Sequence, residues 1–180
     1  MTKQEIRKTI KEMKTRMLPD VQSSEVSSII QRVMSHPRVM GSKHIIAYWS
    51  LDDEFPTHDI VSALYEQGKN IYLPHVIDSS AMEIVQYQGV DTLREGAYGI
   101  MEPCGKPASM ETLNTSDTVV LVPGVAFTPS GARLGRGKGY YDRFLSALTE
   151  AYKIGLCFQF QLLDSLPTSA HDISVDEVVC

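Results

Sequence analysis

Residues 118–145, TVVLVPGVAFTPSGARLGRGKGYYDRFL, decide the fold because they change character twice within one stretch. The first five residues, Thr118–Val122, are mostly apolar and mostly β-branched, as expected of a strand in the core. A glycine-rich turn at 129–139 then leads into a helix that we predict over 140–148. A strand followed by a turn and a helix is the repeating unit of α/β proteins.

The rest of the chain alternates between apolar runs and helical patterns. The apolar runs predict five further strands, at 44–49, 70–73, 82–87, 152–157 and 172–179. The helical patterns predict three further helices, over 2–17, 24–34 and 57–65. Pro19 is expected to end the first helix and Pro74 to end a strand, while 89–107 is expected to be a long irregular loop. We therefore predict an α/β fold, with one domain over residues 1–180 and a mostly parallel central sheet flanked by helices.

Charge and composition argue against several classes of function. The chain has 17 Lys and Arg against 22 Asp and Glu, and its net charge of −5 disfavours nucleic-acid binding through the overall field. No apolar run is typical of a signal peptide or a transmembrane helix, so we predict a cytoplasmic protein that binds no membrane. We expect a monomer that acts on small molecules. The three cysteines lie far apart without a CxxC motif, which argues against a disulfide framework or a zinc site: Cys104, Cys157 and Cys180.

The glycine-rich turn matches neither of the two common phosphate-binding motifs. A Walker A loop needs Ser or Thr after Gly137-Lys138, where this chain has Gly139, and its first glycine would stand at Ala132. A dinucleotide fingerprint fails because Tyr140 occupies the position of its last glycine. The turn must therefore be interpreted from its own residues.

Small residues alternate with cations in this turn, as Gly135-Arg136-Gly137-Lys138-Gly139. Glycine lets the main chain approach a ligand closely, and successive N–H groups can surround an anion. Four side chains add full positive charges, namely Arg133, Arg136, Lys138 and Arg143. The pattern predicts a polyphosphate site, and the alternative is a surface turn with solvated cations.

Asp142 lies just after the turn, away from the apolar stripe that Tyr141, Phe144 and Leu145 form on the predicted helix. It is either a first-turn carboxylate favoured by the helix dipole or a Mg²⁺ ligand beside bound phosphates. The residues alone leave both open.

The turn and its surroundings closely resemble the signature of the 5-formyltetrahydrofolate cyclo-ligase family, also called methenyltetrahydrofolate synthetases. The resemblance rests on LVPGVAF at 121–127, Gly131 and RLGRGKGYYDRFL at 133–145. Weaker matches occur in the expected order elsewhere, at Lys3 and Arg7, in SLDDEFPT at 50–57 and in HDISVD at 171–176.

The resemblance implies an enzyme that uses ATP and Mg²⁺ to convert 5-formyltetrahydrofolate into 5,10-methenyltetrahydrofolate, releasing ADP and phosphate. It implies that the ATP-binding residues are Lys3, Arg7, Arg133, Leu134, Gly135, Arg136, Gly137, Lys138, Gly139, Tyr140 and Tyr141. It implies that the folate-binding residues are Trp49, Glu54, Arg136, Gly137, Lys138, Gly139 and Tyr140. It implies that Mg²⁺ is bound by Asp142 and Asp172. Arg136 and Lys138 are the expected catalytic residues, which neutralise the phosphoryl group during its transfer.

Some roles stay open beside this interpretation. Glu54 is either an acceptor for the pterin N–H groups or a solvated carboxylate beside Asp52 and Asp53, and Trp49 packs either on the folate or in the core. If 172–176 is extended, Asp172 shares a face with Asp176, and Asp176 then either supports Asp172 or is simply solvated.

Three other functions compete with the cyclo-ligase. A non-catalytic nucleotide-binding module would keep the glycine turn without needing Glu54 or two carboxylates for a metal. A sugar-phosphate isomerase needs a general base that the sequence does not single out, and a small RNA-binding domain is disfavoured by the net charge.

Overall fold

A computed structural model describes residues 1–78, 81–96 and 99–180 as an α/β fold. The strands in these ranges are β1 (His44–Ile46), β2 (Asn70–Val76), β3 (Met82–Gln86), β4 (Arg94–Glu95), β5 (Met101–Glu102), β6 (Thr118–Val122), β7 (Ala126–Phe127), β8 (Arg133–Leu134), β9 (Tyr152–Leu156) and β10 (Glu177–Val179). The helices in these ranges are α1 (Lys3–Thr15), α2 (Pro19–Met34), α3 (Pro37–Gly41), α4 (His58–Glu66), α5 (Met110–Leu113) and α6 (Tyr140–Ser146).

Six of these strands form the main sheet, in the order β10-β9-β6-β1-β2-β3. Every neighbouring pair is parallel except β2 and β3, which are antiparallel. The predicted fold class, with a mostly parallel sheet and flanking helices, is therefore confirmed. None of the helices in the described ranges is both long enough and apolar enough to cross a membrane.

Strand β6 lies inside the sheet and is buried along its whole length, as its apolar sequence predicts. Its alternate residues belong to different cores. Val119 and Leu121 pack in one core with α2 and α4, whereas Val120 and Val122 pack in the other with Leu145 of α6. Helices thus cover both faces of the sheet.

Helix α1 packs away from these two cores, against the segment that carries the glycine turn. A capping box starts the helix, in which the Thr2 side chain accepts from Glu5 N and the Glu5 side chain accepts from Thr2 N. Ile6 and Ile10 are buried in a small cluster with Leu134 of β8. Because Ile6 and Ile10 anchor this side of the helix, other residues of α1 lie beside the turn.

Two boundary predictions at prolines are wrong. Pro19 was expected to end the first helix, with the next one starting at 24, but α2 begins at Pro19. Proline is tolerated there because the first helical N–H has no partner within the helix. Pro74 was expected to end a strand, but it lies inside β2 opposite Ile84. The pairing of β2 with β1 ends at Tyr72, so β2 is an edge on that side at Pro74, where proline costs no ladder bond.

The strand predicted over 172–179 is also wrong in its first half, because β10 spans only Glu177–Val179. Val175 N instead donates to Gly131 O at 2.9 Å, so this segment crosses to the glycine-rich region. The carboxylate of Asp176 accepts from Lys153 N of β9 at 2.7 Å, so its bond is to the sheet and not to Asp172.

The sequence patterns missed the short helices α3 and α5. The loop predicted over 89–107 contains a 3₁₀ turn at Val90–Thr92 and the antiparallel pair β4–β5. Positions 97 and 98 of that prediction lie outside the described residues.

Candidate functional site

The last part of the glycine-rich turn, residues 135–139, connects β8 to α6, just beyond the hairpin that β7 and β8 form after the inner strand β6. Gly137 has φ = 101° and Gly139 has φ = 70°, both in the left-handed region that favours glycine. Gly135 has another role, since a Cβ there would lie 3.0 Å from Nη1 of Arg133. The alternating glycines are therefore needed for the path of the chain and for close packing around it.

Helix α1 brings the two predicted cations at its start to this turn. Nε of Arg7 donates to Gly135 O at 2.9 Å. Nζ of Lys3 contacts Oδ2 of Asp172 at 2.5 Å and Oγ of Ser169 at 3.3 Å. Residues from distant parts of the sequence thus meet at one edge of the glycine turn.

Asp142 and Asp172, the predicted metal ligands, lie in neighbouring parts of this edge. Oδ1 of Asp142 accepts from Nη2 of Arg133 at 2.7 Å and from the backbone N of Ile173 at 3.2 Å. Partial burial raises the pKa of Asp172, but the bonds from Lys3 and Ser169 outweigh it and hold that pKa below its ordinary value. Asp172 is therefore ionised at neutral pH.

These two carboxylates suit a hard divalent cation such as Mg²⁺. Both donors to Asp142 reach Oδ1, which leaves Oδ2 as the oxygen that a cation would approach. Within the described part of the chain no cluster of three or more His, Cys, Asp or Glu side chains has a metal-binding arrangement. A cation bound by Asp142 and Asp172 would therefore take most of its oxygens from substrate and water, as Mg²⁺ commonly does.

Arg133 differs from the other cations of the site because its side chain is only 3% exposed. Besides Asp142, it donates from Nη1 to Pro123 O at 3.2 Å, and its guanidinium lies 5.7 Å from the ring of Tyr141. The side chain of Leu134 is likewise buried. The side chains of Arg133 and Leu134 thus support the turn from inside the protein.

Arg136 crosses from the turn to the loop after β1. Its Nε donates to Oε1 of Glu54 at 3.2 Å, and its Nη2 pairs with Asp53. Oε2 of Glu54 accepts from Leu51 N at 3.0 Å, and the Glu54 side chain is 16% exposed. Glu54 is therefore a hydrogen-bonded, mostly buried carboxylate and not an ordinary solvated one.

Asp53 and Lys14 also contact Arg136 and Glu54, respectively, although no sequence pattern assigned either of them to the site. Partial burial raises the pKa of Asp53, but its bond to Arg136 outweighs that effect and the pKa lies below its ordinary value. Nζ of Lys14 donates to Glu54 O at 3.1 Å, and burial lowers the pKa of Lys14. The signal for Lys14 was its position two helical turns after Arg7, on the same side of α1.

The aromatic residues predicted at the site have different environments. Trp49 stacks on His58 with ring centroids 4.1 Å apart and packs against the core on the α4 side. Tyr140 donates its hydroxyl to Asp78 O at 2.5 Å and is partly exposed. Burial raises the pKa of Tyr141 far above its ordinary value, so its hydroxyl stays protonated. Lys138, which precedes these tyrosines in the turn, is exposed, and its backbone carbonyl accepts from Arg143 at 3.2 Å.

Comparisons with known proteins agree with this arrangement. The sequence model of the 5-formyltetrahydrofolate cyclo-ligase family matches residues 1–180. The probable 5-formyltetrahydrofolate cyclo-ligase of Caenorhabditis elegans is 31% identical over 98% of this chain and 91% of the relative. The 5-formyltetrahydrofolate cyclo-ligase of Mus musculus is also 31% identical, over 84% of this chain and 79% of the relative.

Solved structures extend the comparison to the fold. The 5,10-methenyltetrahydrofolate synthetase of Aquifex aeolicus has a TM-score of 0.84 and 31% identity, covering 99% of this chain and 89% of that chain. The protein of the same name from Mycoplasma pneumoniae shares the fold with a TM-score of 0.78 at 23% identity, over 99% and 98% of the two chains. The match along the whole sequence, at these identities, shows that the chain belongs to the 5-formyltetrahydrofolate cyclo-ligase family.

Proposed function

We propose that this protein converts 5-formyltetrahydrofolate into 5,10-methenyltetrahydrofolate with ATP as co-substrate, and that residues 1–180 act as one domain. The observation that carries the proposal is the contact between Arg136 and Glu54. It joins the cationic turn, which suits a polyphosphate, to an ordered carboxylate, which suits the N–H groups of a pterin. Family membership supports the same reaction.

The nucleotide phosphates would bind along the turn from Gly135 to Gly139, where Gly137 and Gly139 have a left-handed backbone and residues 136–138 are exposed. Lys3 and Arg7 would add charge from α1. Tyr140 and Tyr141 would border the nucleotide after the turn. The side chains of Arg133 and Leu134 are buried. These two residues would therefore contribute to ATP binding through their backbone groups or by supporting the turn.

The folate would bind between the turn and the loop after β1. Glu54 would accept hydrogen bonds from the pterin amino and ring N–H groups, and Tyr140 would pack against the flat rings. One face of Trp49 already stacks on His58, so we assign Trp49 to the wall of the folate pocket rather than to direct stacking.

The chemistry needs positioned charges and no protein nucleophile. The formyl oxygen attacks the γ-phosphorus of ATP, the bond to ADP breaks, and the formyl carbon becomes bonded to a good leaving group. N10 then attacks that carbon and loses its proton, and inorganic phosphate leaves as the ring closes. Arg136 and Lys138 would neutralise charge on the phosphoryl group while it is transferred.

A divalent cation, which we propose to be Mg²⁺ held by Asp142 and Asp172, would neutralise phosphate charge when bound. Lys3 competes with it in the present arrangement, because its ammonium group contacts Asp172. We propose that this ammonium moves from Asp172 to a phosphate oxygen when nucleotide binds. Its four-carbon stem gives it the necessary reach.

A turnover assay tests the proposed reaction directly. Purified protein is mixed with ATP, Mg²⁺ and 5-formyltetrahydrofolate, and the absorbance of methenyltetrahydrofolate is followed with each component omitted in turn. We expect product only in the complete mixture. Nucleotide binding without any product would instead identify a non-catalytic nucleotide-binding module and overturn the proposal.

The role of Glu54 can be tested with a substitution that keeps its shape. Glu54→Gln should raise the KM for the folate about 10- to 100-fold, because a hydrogen bond to a charged acceptor contributes about 1.5–3 kcal/mol. The KM for ATP should change far less. Asp52→Asn, an exposed carboxylate of the same loop, is the matched control. Equal folate KM values in the two variants would contradict the assignment.

A further inference from the structure

Two cysteines that the sequence separates widely become neighbours at the edge of the sheet. Strands β9 and β10 run parallel, with Leu156 opposite Val179. A cysteine follows each strand directly, Cys157 after β9 and Cys180 after β10. Cys157 N donates to Val179 O at 3.3 Å, so the pairing continues to this position. Both cysteines are free thiols, and each thiol affects the pKa of the other.

The strand pairing gives these thiols a geometry that a disulfide can adopt. Paired residues of neighbouring strands project their side chains from the same face of the sheet. Adjacent strands lie about 4.8 Å apart, which falls within the separation of roughly 4.4–6.8 Å that the Cα atoms of a disulfide span. A bond between Cys157 and Cys180 therefore needs side-chain rotation but no separation of the strands.

The two thiols differ in access. Cys157 is fully buried. Cys180 is partly exposed, and its Sγ donates to Oε1 of Gln159 at 3.6 Å. A reagent from solution would thus reach Cys180 first. Cys104, the third cysteine, is exposed near β5 in another part of the structure.

We propose that Cys157 and Cys180 are a redox-sensitive pair that forms a reversible disulfide by exchange with small-molecule disulfides. The thiolate of Cys180 attacks one sulfur of the small disulfide, whose S–S bond breaks and releases one thiol. The thiolate of Cys157 then attacks Sγ of Cys180, and the mixed disulfide breaks to release the second thiol. The electrons pass to the small disulfide, which is reduced, and the two protein protons end on the released thiols.

This pair is expected to react slowly. Burial raises the pKa of Cys157, and burial also raises the pKa of Cys180, with Glu25 adding to the effect and Arg32 opposing it. Since the thiolate is the attacking form, little of either thiol is reactive at neutral pH. The exchange responds to prolonged oxidising conditions rather than to brief ones.

The disulfide would tie β10, an edge strand, to β9 and close the segment 158–179 into a ring. That segment includes Asp172 and also Gln161, whose side chain donates to Gly124 O and Val125 O before the glycine turn. Closing a loop limits the unfolded chain, so the oxidised protein should unfold at a temperature several degrees above that of the reduced protein.

Oxidised glutathione is the probe that tests the proposal, on the full chain carrying Cys104→Ser. After prolonged incubation and acid quenching, the intact mass should fall by two hydrogens, and proteolysis should yield one peptide pair linked through Cys157 and Cys180. Dithiothreitol should restore the original mass. The unfolding temperature of the oxidised sample should be raised, and this readout is independent of the proposed catalytic function.

Two further variants keep the result interpretable. With Cys180→Ser added, the protein should gain neither the internal disulfide nor the increased unfolding temperature. With Cys157→Ser added, it should stop at the mixed disulfide and carry one glutathione on Cys180. The proposal is overturned if the Cys104→Ser protein retains both thiols after incubation, or if it stops at the mixed disulfide although Cys157 is present.

Discussion

Replacing Arg136 with alanine is expected to lower kcat about 10²- to 10³-fold, the cost of removing one group that stabilises developing charge. Arg136 contacts Glu54 and Asp53 from the glycine turn, so it lies where the phosphoryl donor and the folate would meet. Its side chain is 46% exposed, and the loss of such ion pairs changes the free energy of unfolding by about 1 kcal/mol or less. The fold should therefore persist while turnover collapses.

Matched variants separate the role of Arg136 from a general loss of charge. Arg16→Ala removes an exposed arginine at the end of α1 and should leave turnover unchanged. Arg136→Lys keeps the charge but loses the planar donor group, so it should recover only part of the rate. Lys138→Ala should also be severely impaired. Near-normal kcat in both Arg136→Ala and Lys138→Ala would defeat the phosphate assignment.

Asp142→Asn should shift the Mg²⁺ titration of turnover to at least about tenfold higher concentrations, because a neutral amide is a much weaker ligand than a carboxylate. The same change should destabilise the protein by about 1–3 kcal/mol, since it leaves the buried guanidinium of Arg133 without its counter-ion. The amide oxygen can still accept from Arg133 and Ile173 N, so the backbone around the site should be retained.

Two separate measurements check this prediction. Mg²⁺ dependence is measured by turnover at saturating ATP, and stability by urea unfolding of the free protein. Asp164→Asn, an exposed acid, is the control for loss of one negative charge and should alter neither. An unchanged Mg²⁺ titration in Asp142→Asn would refute the ligand role. If Asp142→Asn loses stability while its Mg²⁺ titration is unchanged, the role of Asp142 is limited to its ion pair with Arg133.

The parts of the fold that could be predicted from the sequence are those with a strong local signal. The apolar run at Thr118–Val122 predicts the inner strand, and the glycine turn predicts the connection from this region to the next helix. Both predictions follow from residue type alone. The start of α2 at Pro19 could not be distinguished from the end of α1, because proline is compatible with both positions. The conformation of residues 172–176 depends on Gly131, which is distant in sequence and whose carbonyl accepts from Val175 N.

The candidate site shows the same division between local and distant information. The turn, both magnesium-binding candidates and the cations of α1 could be named from their motifs, and the structure brings them together. The partnership of Arg136 with Asp53, and the burial of Arg133, required the packing of three separate segments. The pairing of Cys157 with Cys180 depended on the register of β10, which spacing along the chain does not reveal.

The contact between Lys3 and Asp172 joins positions 169 residues apart. During synthesis on the ribosome, α1 emerges well before Asp172, so this contact cannot form until the segment that carries Asp172 has been made. Contacts of such long range also form late in refolding, because the entropy of loop closure opposes them. A nascent chain that stops before residue 172 would therefore lack this contact even if its inner strands were already paired.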